Sequence, residues 1–494
     1  MMTTEELNAK AKDVLMTLPD NPSMKERLAI GPCPMPSQDP SARCHNMDEV
    51  ALGYGEDQAV LEATRCLGCK NHPCVAHCPV AIDIPRFVGH VAKREFREAL
   101  EVIQESSLLP AICGRVCPQE NQCQKECTVG KAHNDIDQAV AIGRIERFVA
   151  DWARENGVTP AVTIAPDSGR KVAVVGSGPA SIAAAADLRR AGHEVWMFEA
   201  LHKTGGVLVY GIPEFRLPKK LVETEIEKLA AMGVHIETNY LVGRTRTIHE
   251  LMEEDGFDAI FIGTGAGLPK FMGIPGENHV GVFSANEYLT RSNLMKAYDE
   301  GHSRTPLYHA RRVAVFGGGN VAMDAARTAL RLGAEKVSII YRRTREEMPA
   351  RKEEVEHAHE EGVEFLMLSQ PVEITADEHG RVNGVVVRDC VLGESDESGR
   401  RRPVEIEGSE HLIPYDCVIV AIGNASNPLI KMTTPEIEVN RRGNFIVDEE
   451  TGQTSIKGVY AGGDIVLGAA TVILAMGQGR KAAAAMNSYL EGLK

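Results

Sequence analysis

Several features that mark other classes of protein are missing from this sequence. No apolar run approaches the ~18 residues that a membrane-spanning helix needs, and residues 1–20 lack a basic segment followed by an apolar one, so no secretory signal is visible. The net charge is −15 and Lys and Arg form no long basic run, which argues against nucleic-acid binding. We therefore expect a cytoplasmic protein that binds neither membranes nor nucleic acids.

The length of the chain is too great for a single hydrophobic core. At 494 residues it should fold into about three domains. Its hydrophobic content of 43% and its charged content of 25% are ordinary for a globular protein.

Cysteine is the residue whose distribution is most informative. Eight of the twelve cysteines fall in two groups, C-x2-C-x4-C-x3-C-P and C-x3-C-x5-C-x3-C. In a reducing compartment such thiols serve metals or redox chemistry rather than disulfides, and four convergent thiolates are typical of an iron–sulfur cluster. The eight are Cys66, Cys69, Cys74, Cys78, Cys113, Cys117, Cys123 and Cys127. The remaining four have no partner spacing and are interpreted as ordinary thiols: Cys33, Cys44, Cys390 and Cys417.

Zinc is the main alternative for this array. C-x2-C pairs also build zinc sites, and His72 and His77 lie within the first group. Against zinc, the Cys-Pro pairs resemble the endings of ferredoxin runs, and eight thiols exceed the needs of one structural zinc. In two-cluster runs the last cysteine of a group serves the other cluster, so Cys78 is expected to cross over. Spacing alone does not decide which of the later four cysteines completes which cluster.

The residues around the cysteines predict a helical domain. Residues 56–65 suit a helix that leads to Cys66, and Asp83 is a good N-cap before Ile84-Pro85. Apolar residues then follow one helical face as far as Gln104. Linker composition near Asp167 ends this domain.

A glycine-rich turn opens the next part of the chain. The apolar strand at 171–175 is followed by Gly-Ser-Gly-Pro-Ala-Ser at 176–181, an alanine-rich helix, and a second apolar run that ends at Glu199. The glycines permit a tight turn and a close pyrophosphate, the helix N-terminus attracts its charge, and an acid roughly 20 residues on accepts ribose hydroxyls. This order predicts a dinucleotide-binding fold, with Ser181 in place of the usual third glycine.

The same plan recurs at residues 312–322, with Gly-Gly-Gly-Asn-Val-Ala after the strand. The next strand, 337–340, leads into Tyr-Arg-Arg-Thr-Arg at 341–345. Arginines where NAD-binding folds carry an acid favour the 2′-phosphate of NADP, and the alternative is a solvated basic loop. This second fold has no C-x-x-C pair, so a thiol relay to a disulfide is not expected.

The C-terminal segment is predicted to complete the first fold. Residues 458–464 form a strand that runs into two glycines and Asp464, which is placed to bond the ribityl hydroxyls of a flavin. The helix that opens at 468–472 would point its N-terminal amides at the flavin; the alternative is a hairpin and a packing helix. The pattern suggests an FAD domain interrupted by an NADP domain.

With these motifs in view, the chain resembles a known family over nearly its whole length: the small (beta) subunit of NADPH-dependent glutamate synthase. It is equally similar to the large subunit of NADH-dependent ferredoxin:NADP oxidoreductase, the sulfide dehydrogenase alpha subunit and the N-terminal half of dihydropyrimidine dehydrogenase. The motifs that carry the resemblance are at 65–69, 80–85, 112–118, 211–218, 341–343 and 461–464.

The resemblance implies an α/β protein with an all-helical iron–sulfur domain followed by two Rossmann-like domains of the glutathione-reductase type, the second inserted in the first. The expected bounds are 1–166 for the helical domain, 167–295 with 425–494 for the FAD domain, and 296–424 for the NADP(H) domain. The implied cofactors are FAD, NADPH and two [4Fe–4S] clusters.

The resemblance also implies ligand sets. One cluster would be held by Cys66, Cys69, Cys74 and Cys127, and the other by Cys78, Cys117, Cys123 and the helix residue Glu146, which leaves Cys113 spare. The FAD positions are Ser177, Gly178, Pro179, Ala180, Ser181, Glu199, Gly206, Arg216, Val242, Gly463, Asp464, Thr471 and Val472. The NADPH positions are Gly319, Asn320, Val321, Arg342, Arg343, Ala421, Ile422 and Gly423, to which charge adds Arg345.

These implications describe an electron-input subunit. NADPH would pass a hydride to FAD, and the clusters would relay single electrons to a second redox subunit in a hetero-oligomer. Glutamate synthase is the expected partner. The alternatives are an electron-bifurcating ferredoxin:NADP transhydrogenase subunit, a sulfide dehydrogenase subunit, or a zinc-stabilised binding protein that senses NADPH without turnover.

Overall fold

A computed structural model describes residues 2–160, 162–299, 301–396 and 399–493 of the chain. It shows an N-terminal helical domain followed by two five-stranded parallel sheets, each with helices, as the sequence predicts. Among the described residues, no helix has both the length and the apolar character that crossing a membrane requires.

The N-terminal domain is built from short helices around an apolar core. Val88, Ile103 and Ile145 are fully buried in that core. The helices are α1 (Thr4–Thr17), α2 (Met24–Ala29), α3 (Pro40–Arg43), α4 (Glu56–Thr64), α5 (Pro73–Ala76), α6 (Ile84–Ala92), α7 (Phe96–Ser106), α8 (Pro110–Val116), α9 (Thr128–His133) and α10 (Ile142–Glu155), with 3₁₀ turns at Gln119–Asn121 and Ile136–Gln138.

Local signals explain where the helices near the cysteines begin and end. Asp83 caps α6 by accepting a hydrogen bond from the Arg86 backbone N–H, as its position predicts. The apolar face that follows is divided between α6 and α7, because Arg94 adopts a left-handed conformation with φ of 62° between them. The sequence pattern alone did not reveal this break.

The first nucleotide fold is a parallel sheet in the order β16-β4-β1-β2-β3. The inner strands Lys171–Val175 and Ala259–Ile262 are buried along nearly their whole length, as is usual where both faces of a parallel sheet are covered. Its elements are β1 (Lys171–Val175), α11 (Pro179–Arg190), β2 (Glu194–Phe198), α12 (Val207–Tyr210), α13 (Lys219–Ala231), β3 (His235–Glu237), α14 (Ile248–Glu253) and β4 (Ala259–Ile262), completed by α18 (Leu429–Thr433), β16 (Val459–Ala461), α19 (Asp464–Leu467) and α20 (Val472–Glu491).

The second fold repeats this arrangement in the order β6-β14-β7-β8-β9. It also carries a four-stranded antiparallel sheet made from β10 to β13. The elements are β6 (Val282–Ser284), α15 (Ala285–Asn293), β7 (Arg312–Phe316), α16 (Asn320–Arg331), β8 (Lys336–Tyr341), a 3₁₀ turn (Arg345–Glu347), α17 (Lys352–Glu360), β9 (Glu364–Met367), β10 (Ser369–Ala376), β11 (Val382–Ser395), β12 (Arg401–Glu405), β13 (His411–Ile413) and β14 (Cys417–Val420).

A two-stranded link joins the two folds. In it, β5 (Leu268–Pro269) pairs antiparallel with β15 (Asn424–Ala425). The strand Val282–Ser284 pairs with β14 and so belongs to the second sheet, although the sequence assigned it to the FAD domain. We therefore propose a domain boundary between β5 and β6 in place of the predicted one at 295/296.

The C-terminal helix closes the first fold by crossing α11 at short range. A Cβ on Gly479 of α20 would lie 2.1 Å from the Ala180 carbonyl oxygen, so only glycine permits this approach. The crossing places the start of α20 beside the glycine-rich turn of β1 and α11.

A chain of buried ion pairs joins all three parts of the molecule. Arg43 of the helical domain contacts Glu361 of the second fold at 2.8 Å, and both side chains are almost fully buried. Glu361 also binds Arg327 and Arg331 of α16, at 2.8 and 2.7 Å.

The chain of ion pairs continues into the first fold through Glu354. That carboxylate pairs with Arg327 and lies 3.0 Å from Nε of Arg216. Although burial favours the protonated form, Arg216 and Arg327 lower the pKa of Glu354 to about 2. We call Arg43, Glu361, Arg331, Arg327, Glu354, Arg216 and Asp324 the junction network.

Replacing Arg43 by alanine should weaken docking of the helical domain. Removing one partner of a buried ion pair leaves uncompensated charge and typically costs about 3 kcal/mol. The midpoint of urea unfolding should fall accordingly. The matched control is Arg311→Ala, which removes a pair between Arg311 and Glu335 whose side chains are 77% and 60% exposed. An equal shift in the two variants would show that the junction network does not hold the domains together.

Candidate functional site

The first glycine-rich turn is held by a small hydrogen-bonded group. Ser177 Oγ donates to the Glu199 carboxylate at the end of β2 and accepts from the Gly205 N–H at 2.9 Å. A Cβ on Gly206 would lie 3.0 Å from Cα of Gly178, so these two glycines are in close contact. The structure thus brings Ser177, Gly178, Glu199 and Gly206 together at the carboxyl end of the sheet.

The C-terminal segment adds the second half of this site. A Cβ on Gly463 would lie 3.0 Å from Cβ of Ala180, in the first turn of α11. Asp464 follows directly, and burial raises its pKa to about 6. Thr471 caps α20 by accepting from the Leu474 N–H, so α20 starts at Val472. In the same first turn of α11, Ser181 Oγ lies 3.5 Å from the carbonyl oxygen of Gly263.

The side chains of two residues predicted to bind FAD contact other parts of the protein. The Arg216 guanidinium is engaged by Asp324 at 2.7 Å and by Glu354, both in the second fold. Its charge therefore serves the junction network. The Val242 side chain is buried in the same hydrophobic cluster as Phe198. Any contact of Val242 with a cofactor would have to come from its backbone.

The second turn repeats the first in the second nucleotide fold. A Cβ on Gly317 would lie 2.4 Å from the Ala421 carbonyl oxygen, so this turn packs on the end of β14. Gly319 caps α16, and Oδ1 of Asn320 accepts a hydrogen bond from the Arg351 N–H. Three further residues predicted to bind NADPH follow Asn320 or Ala421 closely in the chain. Val321 and Ile422 are 43% and 40% exposed, and Gly423 has a φ of 106°.

Both turns leave room for a ligand on their open side. A Cβ on Gly178 would meet nothing closer than the Gly263 carbonyl oxygen at 4.0 Å, and one on Gly319 nothing closer than Cγ of Pro349 at 3.9 Å. Neither glycine has a positive φ, so neither close packing nor backbone conformation demands glycine at these two positions. A cradle next to a helix N-terminus fits the pyrophosphate of a dinucleotide.

The three arginines after β8 are not equivalent. Arg343 donates from Nη2 to Asp396 at 2.7 Å and from Nε to the Arg401 carbonyl at 2.6 Å. The side chains of Arg342 and Arg345 are exposed and make no hydrogen bond or ion pair with any residue the structure describes. Arg343 therefore anchors the β11–β12 ribbon, whereas Arg342 and Arg345 are available to an anionic ligand.

Four cysteines of the helical domain line one cavity, together with Ile84 and Ile142. They are Cys66, Cys69, Cys74 and Cys127. Burial raises the pKa of Cys74 to about 12, so its thiolate needs a nearby cation. This set of donors suits a cluster bound by four thiolates.

A second cavity lies next to the first. It is lined by Cys78, Cys113, Cys117, Cys123 and Glu146. Burial raises the pKa of Glu146 to about 8, and its Oε1 atom has no hydrogen-bond partner among the described residues. A buried carboxylate without a partner is costly, which fits a role as a metal ligand. The structure thus groups the predicted ligands as the family resemblance implies, and it adds Cys113, which was expected to be spare.

The two cavities and the first nucleotide site are connected by residues that line two of them or that contact each other. Ile84 and Ile142 line both cavities. Ile473, the second residue of α20, lines the second cavity. Nε2 of Gln122, another lining residue, lies 3.5 Å from Oγ1 of Thr471. Sequence reasoning missed Ile473 and Gln122, because only the fold brings α20 to the cysteine loops.

Comparison with known proteins agrees with this architecture. Residues 43–158 match the family model of dihydropyrimidine dehydrogenase domain II, 4Fe-4S cluster, and residues 170–484 match that of pyridine nucleotide-disulphide oxidoreductases. FprA of Mycobacterium tuberculosis, solved in complex with NADPH, aligns with a TM-score of 0.54 at 21% identity, over 66% of this chain and 85% of FprA. At that identity the likeness shows the fold alone.

Curated relatives extend over most of the chain. The beta subunit of NADP(+)-dependent formate dehydrogenase from Moorella thermoacetica is 40% identical over 441 residues, which are 85% of this chain but only 60% of that protein. The small chain of glutamate synthase [NADPH] from Azospirillum brasilense is 38% identical over 463 residues, 92% of this chain and 94% of that protein. With this coverage, and with a [4Fe–4S] domain joined to a pyridine nucleotide oxidoreductase domain, the chain belongs to the family of glutamate synthase small chains.

Proposed function

We propose that this chain is the electron-input subunit of a glutamate synthase, with NADPH as donor, FAD at the first nucleotide turn and two [4Fe–4S] clusters in the helical domain. When bound, these cofactors supply hydride acceptance, separation of the electron pair and one-electron relay. The observation that carries the proposal is the contact series from Thr471 and Ile473 of α20 to the second cavity and on to the first.

The residues of the chain position each group in that series. Gly178 and the first turn of α11 receive the FAD pyrophosphate, while Glu199 accepts its ribose hydroxyls. The start of α20, where Thr471 contacts Gln122 and Ile473 lines the second cavity, would help to hold the flavin. Ile84 and Ile142 line both cavities, so they would lie between clusters bound there and would exclude water between them.

The exit lies at the first cavity. The loop that contributes Cys66, Cys69 and Cys74 is near the surface, and Gly68, Lys70 and His72 within it are exposed. We infer that the partner subunit docks against this loop, because a short distance to the surface is needed for transfer between proteins.

A second candidate differs only in the partner. The identity of 40% to a formate dehydrogenase beta subunit favours the same electron-transfer unit in a different oxidoreductase. Fold and cofactor sites are common to both candidates, so the partner distinguishes them.

Purification without oxygen tests the proposed function directly. We expect about eight iron and eight sulfide per chain, one FAD, and bleaching of the visible spectrum on addition of NADPH. Adding a glutamate synthase large chain should then couple NADPH oxidation to formation of glutamate from glutamine and 2-oxoglutarate. Zinc without iron would refute the electron-transfer role, whereas bleaching without coupling would refute only the choice of partner.

Replacing each of the two cradle glycines by valine should show which nucleotide each turn binds. Gly178→Val should fold but lose FAD, and Gly319→Val should retain FAD but bind NADPH at least about tenfold more weakly, because each side chain fills the space of a pyrophosphate. Flavin absorbance and isothermal titration measure these effects. Gly31→Val is the matched control, since a Cβ there meets no atom within 4 Å. Unchanged binding in both site variants would place the nucleotides elsewhere.

The arginines should contribute unequally to the preference for NADPH. Arg342→Ala should raise the KM for NADPH about tenfold or more with little change for NADH, since a hydrogen bond to a charged group is worth about 1.5–3 kcal/mol. Arg343→Ala should raise the KM for NADPH less than Arg342→Ala does, because Arg343 acts only by anchoring the β11–β12 ribbon. Asp396→Asn, which removes the partner of Arg343, should therefore have the same small effect. If Arg343→Ala shows the larger change and Asp396→Asn none, Arg343 reads the phosphate itself.

A further inference from the structure

The second cavity holds more donors than a cluster needs. Four thiols and one carboxyl line it, whereas a [4Fe–4S] cluster takes four protein ligands. Cys78, Cys117 and Cys123 come from loops or helix ends and are common to either assignment. The choice for the fourth position lies between Cys113 and Glu146.

These two residues face the cavity from adjacent helices at the same level. Cys113 is on α8 and Glu146 is on α10, and the two helices pack together. Their neighbours in sequence, Gly114 and Arg147, touch: a Cβ on Gly114 would lie 2.6 Å from the Arg147 backbone nitrogen. Because the helices are fixed at this contact, neither donor needs the backbone to move in order to reach the cavity.

The cost of leaving each donor unused decides which one binds. Cys113 is 1% exposed, and as a thiol it behaves as a small buried apolar group. Glu146 is 6% exposed, and its Oε1 has no hydrogen-bond partner in the described part of the chain. If Glu146 were not bound to the cluster, its burial without a hydrogen-bond partner would destabilise the folded protein. An unbound Cys113 would cause no such destabilisation.

We propose that Glu146 and Cys113 are alternative donors for one ligand position of the second cluster, with Glu146 bound in the native protein and Cys113 held in reserve. The proposal rests on the two-cluster function proposed above. When the carboxylate is removed, the S–H bond of Cys113 breaks, an Fe–S bond forms, and the proton passes to solvent. No electron is transferred in this exchange.

The test compares Glu146→Ala, Cys113→Ala and the double variant, each purified without oxygen. Iron and acid-labile sulfide per chain are measured, with EPR spectra of the dithionite-reduced proteins. Cys113→Ala should retain about eight iron and the native spectrum, and Glu146→Ala about eight iron with one altered signal. The double variant should lose the altered signal and fall to about four iron.

A matched control addresses nonspecific effects of removing a buried cysteine from the Glu146→Ala variant. Cys33 is buried in the same domain but lines neither cavity, so Glu146→Ala combined with Cys33→Ala should match Glu146→Ala alone. The first-cavity signal, retained in every variant, reports that the domain is folded.

Three results would overturn the proposal. Glu146→Ala alone could lose four iron, the double variant could match Glu146→Ala in iron and spectrum, or Cys113→Ala alone could lose four iron because Cys113 is the native ligand. A wild-type protein with fewer than about eight iron would instead contradict the two-cluster function itself.

Discussion

The junction network is the interaction on which the arrangement of the three domains depends. Arg43, Glu361, Arg327, Glu354 and Arg216 form a continuous buried series that begins in the helical domain and ends in the first nucleotide fold. Buried charges are costly unless each is paired, so the series is stable only when all three parts are docked. This requirement fixes the helical domain against both nucleotide folds.

That fixed arrangement determines how the sites communicate. The start of α20 belongs to the first nucleotide fold, yet Ile473 forms part of the wall of a cavity in the helical domain. Two isoleucines shared by the cavities continue the series toward the surface. These contacts between the first nucleotide fold and the two cavities are set by packing between domains rather than by any one motif.

Much of the fold and part of the candidate site could be read from local pattern. The glycine turns at 176–181 and 317–322 can be recognised from the sequence, because tight turns and the close approach of a ligand demand glycine at fixed spacing. The role of a residue could not be predicted from the sequence where it depends on a partner that is distant in the chain. Arg216 and Arg343 are both arginines in nucleotide-binding motifs, but acids that only the fold brings near occupy their guanidinium groups.

The sequence by itself determined the chemistry: thiols in two groups, two dinucleotide turns, and basic residues after the second. Each is a short-range pattern whose meaning follows from local geometry. Sequence spacing predicted that Cys78 crosses over, but only the tertiary structure decided how the later donors are grouped, with Cys127 in the first cavity and Cys117 and Cys123 in the second. It also brought Cys113 into the second cavity. The reason is physical, since a cluster site is formed by helices that pack together and not by the order of residues along the chain.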